Sequence, residues 1–258
     1  MMDDWQIEHL EETDSTNRWL RAHGSEKDLV VCTDFQTAGR GCGTNSWESE
    51  RGRNLLFSVL IHPEGVRAAD QFILSMANAL ALADTLDHYT GSGKDEGKSS
   101  VKIKWPNDIY WKDCKVCGTL IETTLKGQYV KDCIIGTGIN VNQKHFVSDA
   151  PNPGSLIQIT GQEKDRQEVL QKVLYNLTRY LSMVKTGQWE AIRALYRQRL
   201  YRRQETWPYR FADGSVKDCK LLNVSDDGHL ELLGDNHEVY SLAFKEVQFV
   251  LSHDNEIT

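Results

Sequence analysis

No run of 18 apolar residues occurs in this 258-residue chain, so it offers no transmembrane helix. The first ten residues include Asp3, Asp4 and Glu8 and hold no apolar core of seven or more, so no secretory leader is read there. Basic charge is in deficit as well: 30 Lys and Arg stand against 37 Asp and Glu, a net charge of −7. That balance lacks the global electrostatic footprint of a phosphate-backbone binder. No DNA and no membrane are expected as partners, and a cytoplasmic location is expected. The six cysteines (Cys32, Cys42, Cys114, Cys117, Cys133, Cys219) include one close pair only, so free thiols are expected rather than a disulfide framework. No second CxxC or histidine pair completes a zinc site with Cys114 and Cys117. A G-x-x-x-x-G-K-[ST] phosphate loop is missing too, as is a recognisable nucleophile triad. What remains is ordinary globular composition, 40% apolar and 26% charged, in a chain long enough for one large domain or one plus a small one.

The apolar period changes along the chain and marks the elements. Asp14 or Ser15 caps a short helix over 16–22 with Trp19 and Leu20 on one face. Strands are expected over 29–32 and 54–61, separated by a glycine-rich loop at 36–52. Phe72, Ile73, Met76, Leu80, Ala83 and Leu86 recur at helical spacing from Ala69 onward, ending before a Gly/Ser/charged turn at 90–100. Three strand-like runs follow, 101–105, 115–125 and 129–141, whose short connections imply an antiparallel meander. Beyond a rim with Pro151 and Pro153, Val169, Leu170, Val173, Leu174, Leu177, Leu181 and Val184 form the stripe of a second helix. A third is expected from Trp189 to Arg203. After Pro208, turn signals at Asp213-Gly214, Asp227-Gly228 and Gly234-Asp235 predict a small β module.

Four segments carry candidate chemistry. Gly39-Arg40-Gly41-Cys42-Gly43 joins backbone N–H groups that can approach an anion to a planar guanidinium, though a plain flexible turn has the same composition. Lys104-Trp105-Pro106-Asn107-Asp108 sets a cation, an amide and a carboxylate at a strand end, where Lys would serve phosphate and Asp Mg²⁺; it is also good turn chemistry. Lys115 precedes Gly118, where a ligand could approach the backbone. Gly136-Thr137-Gly138-Ile139-Asn140 puts two glycines into a run otherwise fit for a central strand, which marks a bulge or the close approach of a ligand or another backbone.

In this order, together with Ser15-Thr16-Asn17, Gln36-Thr37-Ala38 leading into Gly39, Trp47, Asn54-Leu55 and Pro153-Gly154-Ser155-Leu156, these segments resemble the biotin protein ligases over nearly the whole chain. The resemblance implies an α+β fold: a mixed, largely antiparallel sheet backed by helices, over residues 1–204, and a C-terminal SH3-like β-barrel over 205–258. It implies that biotin is activated with ATP and Mg²⁺ and passed to a lysine of a biotin carboxyl carrier protein domain. Ser15, Thr16, Asn17 and Gln36 would line the ureido site, with Gly39, Arg40, Gly41, Cys42, Lys115, Gly118 and Gly138 completing the biotin wall. ATP would meet Arg40, Trp47, Lys104, Asn107, Asp108, Lys115 and Asn140, with Asp108 toward the metal and Lys115, Arg40 and Lys104 as the catalytic cations. Two anions must meet in such a reaction, so fixed cations belong at its centre. The loop at 36–50 has a reason to close over a mixed anhydride that water would hydrolyse. The first motif begins at Ser15, so the type without an N-terminal helix-turn-helix domain is expected. Monomer and homodimer both stay open.

One departure stands out. Family members commonly continue the Gly-Arg-Gly with basic residues, whereas this chain reads Cys42-Gly43-Thr44-Asn45-Ser46, with no charge until Glu48. A loop without a cation at position 42 is expected to hold the adenylate less tightly. A lipoate or octanoate ligase, and a catalytically silent biotin- or carrier-binding protein, are the alternatives. The Arg40 motif with Trp47, the Lys104-Trp105-Pro106-Asn107-Asp108 segment and the C-terminal β module favour biotin, and Lys115, Arg40 and Asp108 together favour activity.

Overall fold

The structure, a computed structural model, describes residues 5–43, 45–91, 99–147, 152–235 and 237–251. Its larger sheet has the order β1-β2-β3-β7-β6-β5-β4. The strands are β1 (Gln6–Leu10), β2 (Leu29–Thr33), β3 (Leu55–Ile61), β4 (Val101–Lys104), β5 (Asp108–Trp111), β6 (Cys114–Lys126) and β7 (Tyr129–Ile139). Only β1 and β2 pair in parallel; the rest is antiparallel, the mixed sheet expected. β2 and β3 are buried along their whole length, which is why they read as continuous apolar runs rather than alternating ones.

Successive side chains on these strands face opposite ways. Val30, Cys32, Phe57 and Val59 join the main core under α2 (Phe72–Thr90) and α4 (Arg166–Lys185). Leu29, Val31 and Leu60 instead meet Leu20 of α1 (Thr16–His23) on the other face. α2 is apolar nearly all round because α4, α5 (Trp189–Gln198) and the sheet enclose it. Its buried Thr85 accepts a 2.9 Å hydrogen bond from Asn176 of α4.

Several expectations need correction. The meander has four strands, not three: the 104–108 motif is the turn of a β4–β5 hairpin, with a cis Trp105–Pro106 bond, and β5 is too short to show a period. β1 escaped notice because it is an exposed edge strand with a mixed pattern. A five-residue helix, α3 (Leu156–Thr160), was also not foreseen. α5 stops at Gln198 rather than Arg203, because the backbone of Arg199 and Tyr201 hydrogen-bonds to Ile103 in β4. Ser15 occupies the cap position of α1 but makes no capping hydrogen bond with its side chain. Most of the turn expected at 90–100, together with Pro151, lies outside the described residues.

The expected β module is a five-stranded antiparallel sheet of order β11-β10-β9-β8-β12, whose first strand already contains Pro208. Its strands are β8 (Thr206–Phe211), β9 (Val216–Val224), β10 (Leu230–Gly234), β11 (Val239–Leu242) and β12 (Val247–Phe249). Gly214 and Gly228 take φ of 83° and 94° in its turns, conformations that explain glycine there. No helix among the described residues is long and apolar enough to cross a membrane.

Candidate active site

The three sheet glycines create the site by leaving room over the strands. A Cβ on Gly136 would overlap the Asn17 amide, one on Gly138 would overlap the Trp47 indole, and one on Gly118 would stand 2.7 Å from Trp47 Cζ3. The close approach expected at the 136–140 run is therefore made by side chains from α1 and the glycine-rich loop, not by another backbone. These surfaces bound one cavity of about 1190 Å³ at the middle of the sheet.

The cavity has a floor of small polar groups. Ser15, Thr16 and Asn17 are almost fully buried there at the start of α1. The Thr16 backbone N–H donates to Gln36 Oε1 at 2.9 Å, joining the helix start to the loop. Ser58 lies 2.6 Å from both Thr16 Oγ1 and Asn17 Oδ1. Asn17 Nδ2 donates to Glu122 at 2.9 Å and to the Leu120 carbonyl at 3.3 Å. With its Nδ2 aimed at a carboxylate and its Oδ1 at a hydroxyl, the amide has one orientation only. Ser58 and Glu122 are the residues that sequence reasoning missed. A lone serine inside the apolar Leu55–Ile61 run, and an acidic residue in the Cys114–Lys126 strand, were the signals available.

The same cavity also holds Lys104, Lys115 and Arg40. Lys115 Nζ lies 2.7 Å from Asp108 Oδ2, each side chain about a quarter exposed. Backbone pairing of Lys115 with Asn152 and Gly154 holds it in place, which gives the 153–156 motif its part in the site. Lys104 Nζ sits 3.4 Å from the Tyr110 hydroxyl and 5.2 Å from the ring centre of Phe249 on β12. Burial pushes the Tyr110 phenol far above its ordinary range, so it meets Lys104 uncharged. Arg40 Nη1 faces Glu122 at 3.8 Å, a contact too long to hold it against a better anion.

The remaining predicted residues fall in place around these groups. Gly41, Cys42 and Trp47 line the wall from the loop, which closes on itself through Gly41 N to Asn45 O (2.7 Å) and Trp47 N to Gly39 O (3.0 Å). Gly39 is not a wall residue; a Cβ there would stand 2.7 Å from the Trp47 carbonyl, so its glycine serves the loop's return. Thr44 lies outside the described residues. Asn107 donates to Ser75 of α2 at 3.2 Å. Asn140 reaches the cavity, yet its amide donates to the Gly154 carbonyl at 3.0 Å and accepts from Asn54 at 3.4 Å, so it also braces the 153–156 segment. Trp47 Nε1 and Thr137 Oγ1 are buried in the wall with no hydrogen-bond partner. Leaving such groups unsatisfied costs about 1–3 kcal/mol each, which a polar ligand would recover.

The C-terminal sheet closes the rim. Trp105 Nε1 donates to the Gly228 carbonyl at 2.9 Å, and Phe244 packs on the Trp105 ring at 5.9 Å between centres. Asp227, Lys245 and Phe249 complete that wall. Among the described residues no cluster of three or more His, Cys, Asp or Glu is arranged to hold a metal, and all six cysteines are unpaired.

A profile described as the biotin/lipoate A/B protein ligase family matches residues 9–140, more than half of the chain. The chain belongs to that family. Within it, the chain is similar to the biotin--[acetyl-CoA-carboxylase] ligase of Paracoccus denitrificans, with 30% identity over 233 residues, 87% of this chain and 93% of the relative. It is also 31% identical over 185 residues to the bifunctional ligase/repressor BirA of Salmonella typhimurium, covering 70% of this chain and 55% of that one. The chain thus spans about half the length of the BirA relatives it matches. Among solved structures it resembles the biotin protein ligase of Aquifex aeolicus in complex with biotin and ATP, with a TM-score of 0.78, 26% identity, and 95% and 99% of the two chains covered. The family match takes in the polar floor and the three cations, from Ser15 to Asn140, and stops short of the C-terminal wall.

Proposed function

We propose that this family member is an ATP-dependent biotin protein ligase, in which residues 1–204 carry the chemistry and 205–258 complete the nucleotide side of the site. The observation that carries the reading is the set of groups that share the large cavity. Small, buried hydrogen-bonding groups line it together with Arg40, Lys104 and Lys115, and Arg40 faces the same Glu122 that receives the Asn17 amide. A ligand with a compact polar head, an apolar stem and a terminal carboxylate matches that set, and so does a nucleotide placed against the cations.

In this reading the ureido ring lies on Ser15, Thr16, Asn17 and Gln36, and the carboxylate meets Arg40 and Lys115. A carboxylate oxygen forms a bond to the α-phosphorus of ATP while the bond from that phosphorus to the bridging oxygen breaks, and pyrophosphate leaves with the electron pair. Charge builds on the phosphoryl oxygens, and pre-placed ammonium and guanidinium groups stabilise it without reorganisation. Lys115 exchanges the Asp108 carboxylate for substrate oxygens, a like-for-like trade in charge. The biotinyl-5′-AMP so formed is a mixed anhydride, and Trp47 with the loop shields it from water. The amine of a carrier-domain lysine then attacks the acyl carbon, AMP departs, and the new amide sheds a proton.

Mg²⁺ fits this site as the ion that ATP brings. Asp108, a carboxylate in the cavity wall beside the cations, would be the protein group that meets it, with phosphate oxygens and water as its other partners. When bound, it neutralises phosphate charge.

The test is biotin-dependent ATP–pyrophosphate exchange, run in parallel with lipoate. Exchange with biotin is expected. Exchange with lipoate alone would overturn the substrate, and none with either acid would overturn the ligase reading.

A further inference from the structure

Glu122 lies on the same face of β6 as Gly118, so it turns toward α1 and the glycine-rich loop. Its carboxylate is mostly buried, and its two oxygens are divided among three donors. Oε2 accepts from the Asn17 amide at 2.9 Å, while Oε1 faces Arg21 of α1 at 2.5 Å and Arg40 of the loop at 3.8 Å. Arg21 is more than half exposed, but Asn17 belongs to the polar floor and Arg40 to the cations of the cavity. Among the described residues no other carboxylate pairs with Arg40. Glu122 is not itself part of the cavity wall, so it acts on a ligand only through these neighbours.

We propose that Glu122 is a positioning residue that serves both halves of the biotin site: through Asn17 it orients the amide that meets the ureido ring, and through Arg40 it keeps a guanidinium within reach of the carboxylate. The inference deepens the biotin-ligase reading and rests on it. The Asn17 Nδ2 bond to Glu122, with a longer one to the Leu120 carbonyl at 3.3 Å, keeps the amide from turning over. At 3.8 Å the attraction on Arg40 is that of charge without a close hydrogen bond. It holds the guanidinium at the wall and yields it to an arriving carboxylate. Without Glu122, Arg21 and Arg40 would face each other with no negative charge between them, and Arg40 would move away.

The experiment measures biotin affinity by calorimetry without ATP, kcat in biotin-dependent pyrophosphate exchange, and Tm. The full chain is compared with Glu122→Gln, Glu122→Met and Arg21→Gln. Glutamine can still accept from Asn17 while its NH₂ faces the arginines, so it removes the hold on Arg40 alone; methionine removes both. A misplaced Arg40 is expected to lower kcat about tenfold or more in both Glu122 variants. Biotin affinity should stay within about threefold in Glu122→Gln and fall about tenfold in Glu122→Met, where the amide is no longer fixed. Arg21→Gln removes an exposed pair and should leave affinity and kcat within about twofold. A kcat within about threefold of wild type in both Glu122 variants would overturn the inference, and so would equal biotin affinities in Glu122→Gln and Glu122→Met. A Tm loss beyond about 2–4 °C in Glu122→Gln, or a loss of kcat in Arg21→Gln as large as in Glu122→Gln, would mean a structural clamp on α1 and overturn it too. Wild-type protein without exchange would overturn the ligase reading and this inference with it, whereas wild-type exchange with unaltered Glu122 variants removes the inference alone.

Discussion

Replacing Lys115 by Ala separates chemistry from folding at the centre of the site. Lys115 Nζ pairs with Asp108 at 2.7 Å, and both side chains keep about a quarter of their surface in solvent. Such a pair sits nearer the exposed limit of about 0–1 kcal/mol than the buried limit of about 3–5 kcal/mol for an orphaned partner. A stability loss of about 1 kcal/mol is therefore expected, or about 2–4 °C in Tm for a chain of this size. The effect on adenylate formation is far larger. A fixed donor aimed at developing charge is worth about 2.7–4 kcal/mol, so exchange should fall by about 10²–10³-fold. Asp108→Asn frees Lys115 without removing it; because Asp108 is the group proposed to meet Mg²⁺, its loss of exchange should be relieved at raised Mg²⁺, whereas that of Lys115→Ala should not. The assays are ATP–pyrophosphate exchange and a thermal melt on the same preparations. Exchange within about threefold of wild type, with a near-normal Tm, would refute the placing of Lys115 at the reacting atoms.

Other consequences follow from the same geometry. Gly136→Ala must displace the Asn17 amide and break its bonds to Ser58 and Glu122, so KM for biotin should rise about tenfold or more while KM for ATP holds; equal KM values in variant and wild type would contradict the floor described. The Asp227 carboxyl is held down to about 2 by the Ser225 hydroxyl and then by His229. A depressed folded-state value stabilises above the unfolded value of 3.8 and is lost as pH falls toward about 2. Asp227→Asn should therefore lower Tm near neutrality, with the deficit vanishing between pH 4 and pH 2; a deficit independent of pH would remove that linkage. Burial raises the Cys117 thiol and pushes Cys133 up to about 12, whereas Cys42 is half-buried on the loop. Iodoacetamide at pH 8 should label Cys42 and spare Cys117 and Cys133 until the chain is denatured, and biotin with ATP should slow labelling of Cys42; peptide mass mapping reads both.

The parts of the fold legible in advance are those with a strong local period. The apolar α2, the α4 stripe, the buried runs of β2 and β3, and the Gly-bearing turns after Pro208 all announce themselves within a dozen residues. β1 and β5 do not, since an edge strand has one wet face and a four-residue strand has too few residues to show alternation. α5 misleads because its pattern runs on past Gln198, where pairing with Ile103 takes the chain out of the helix.

For the site, the residue types in order along the chain determined the chemistry: a glycine-rich loop with Arg40, a Lys-Trp-Pro-Asn-Asp turn, Lys115 before Gly118, and glycines in a central strand. Tertiary structure alone decided how they cooperate. It set Asn17 into the space over Gly136, gave Lys115 the Asp108 carboxylate as its resting partner, and made Glu122 the bridge between the polar floor and Arg40. It also brought Lys245 to Gly43 across some two hundred residues of chain. Periodicity and turn chemistry report what neighbours along the chain do to one another. A contact between a loop and the turn of a distant sheet depends on how two separately formed surfaces dock, and no local pattern carries that information.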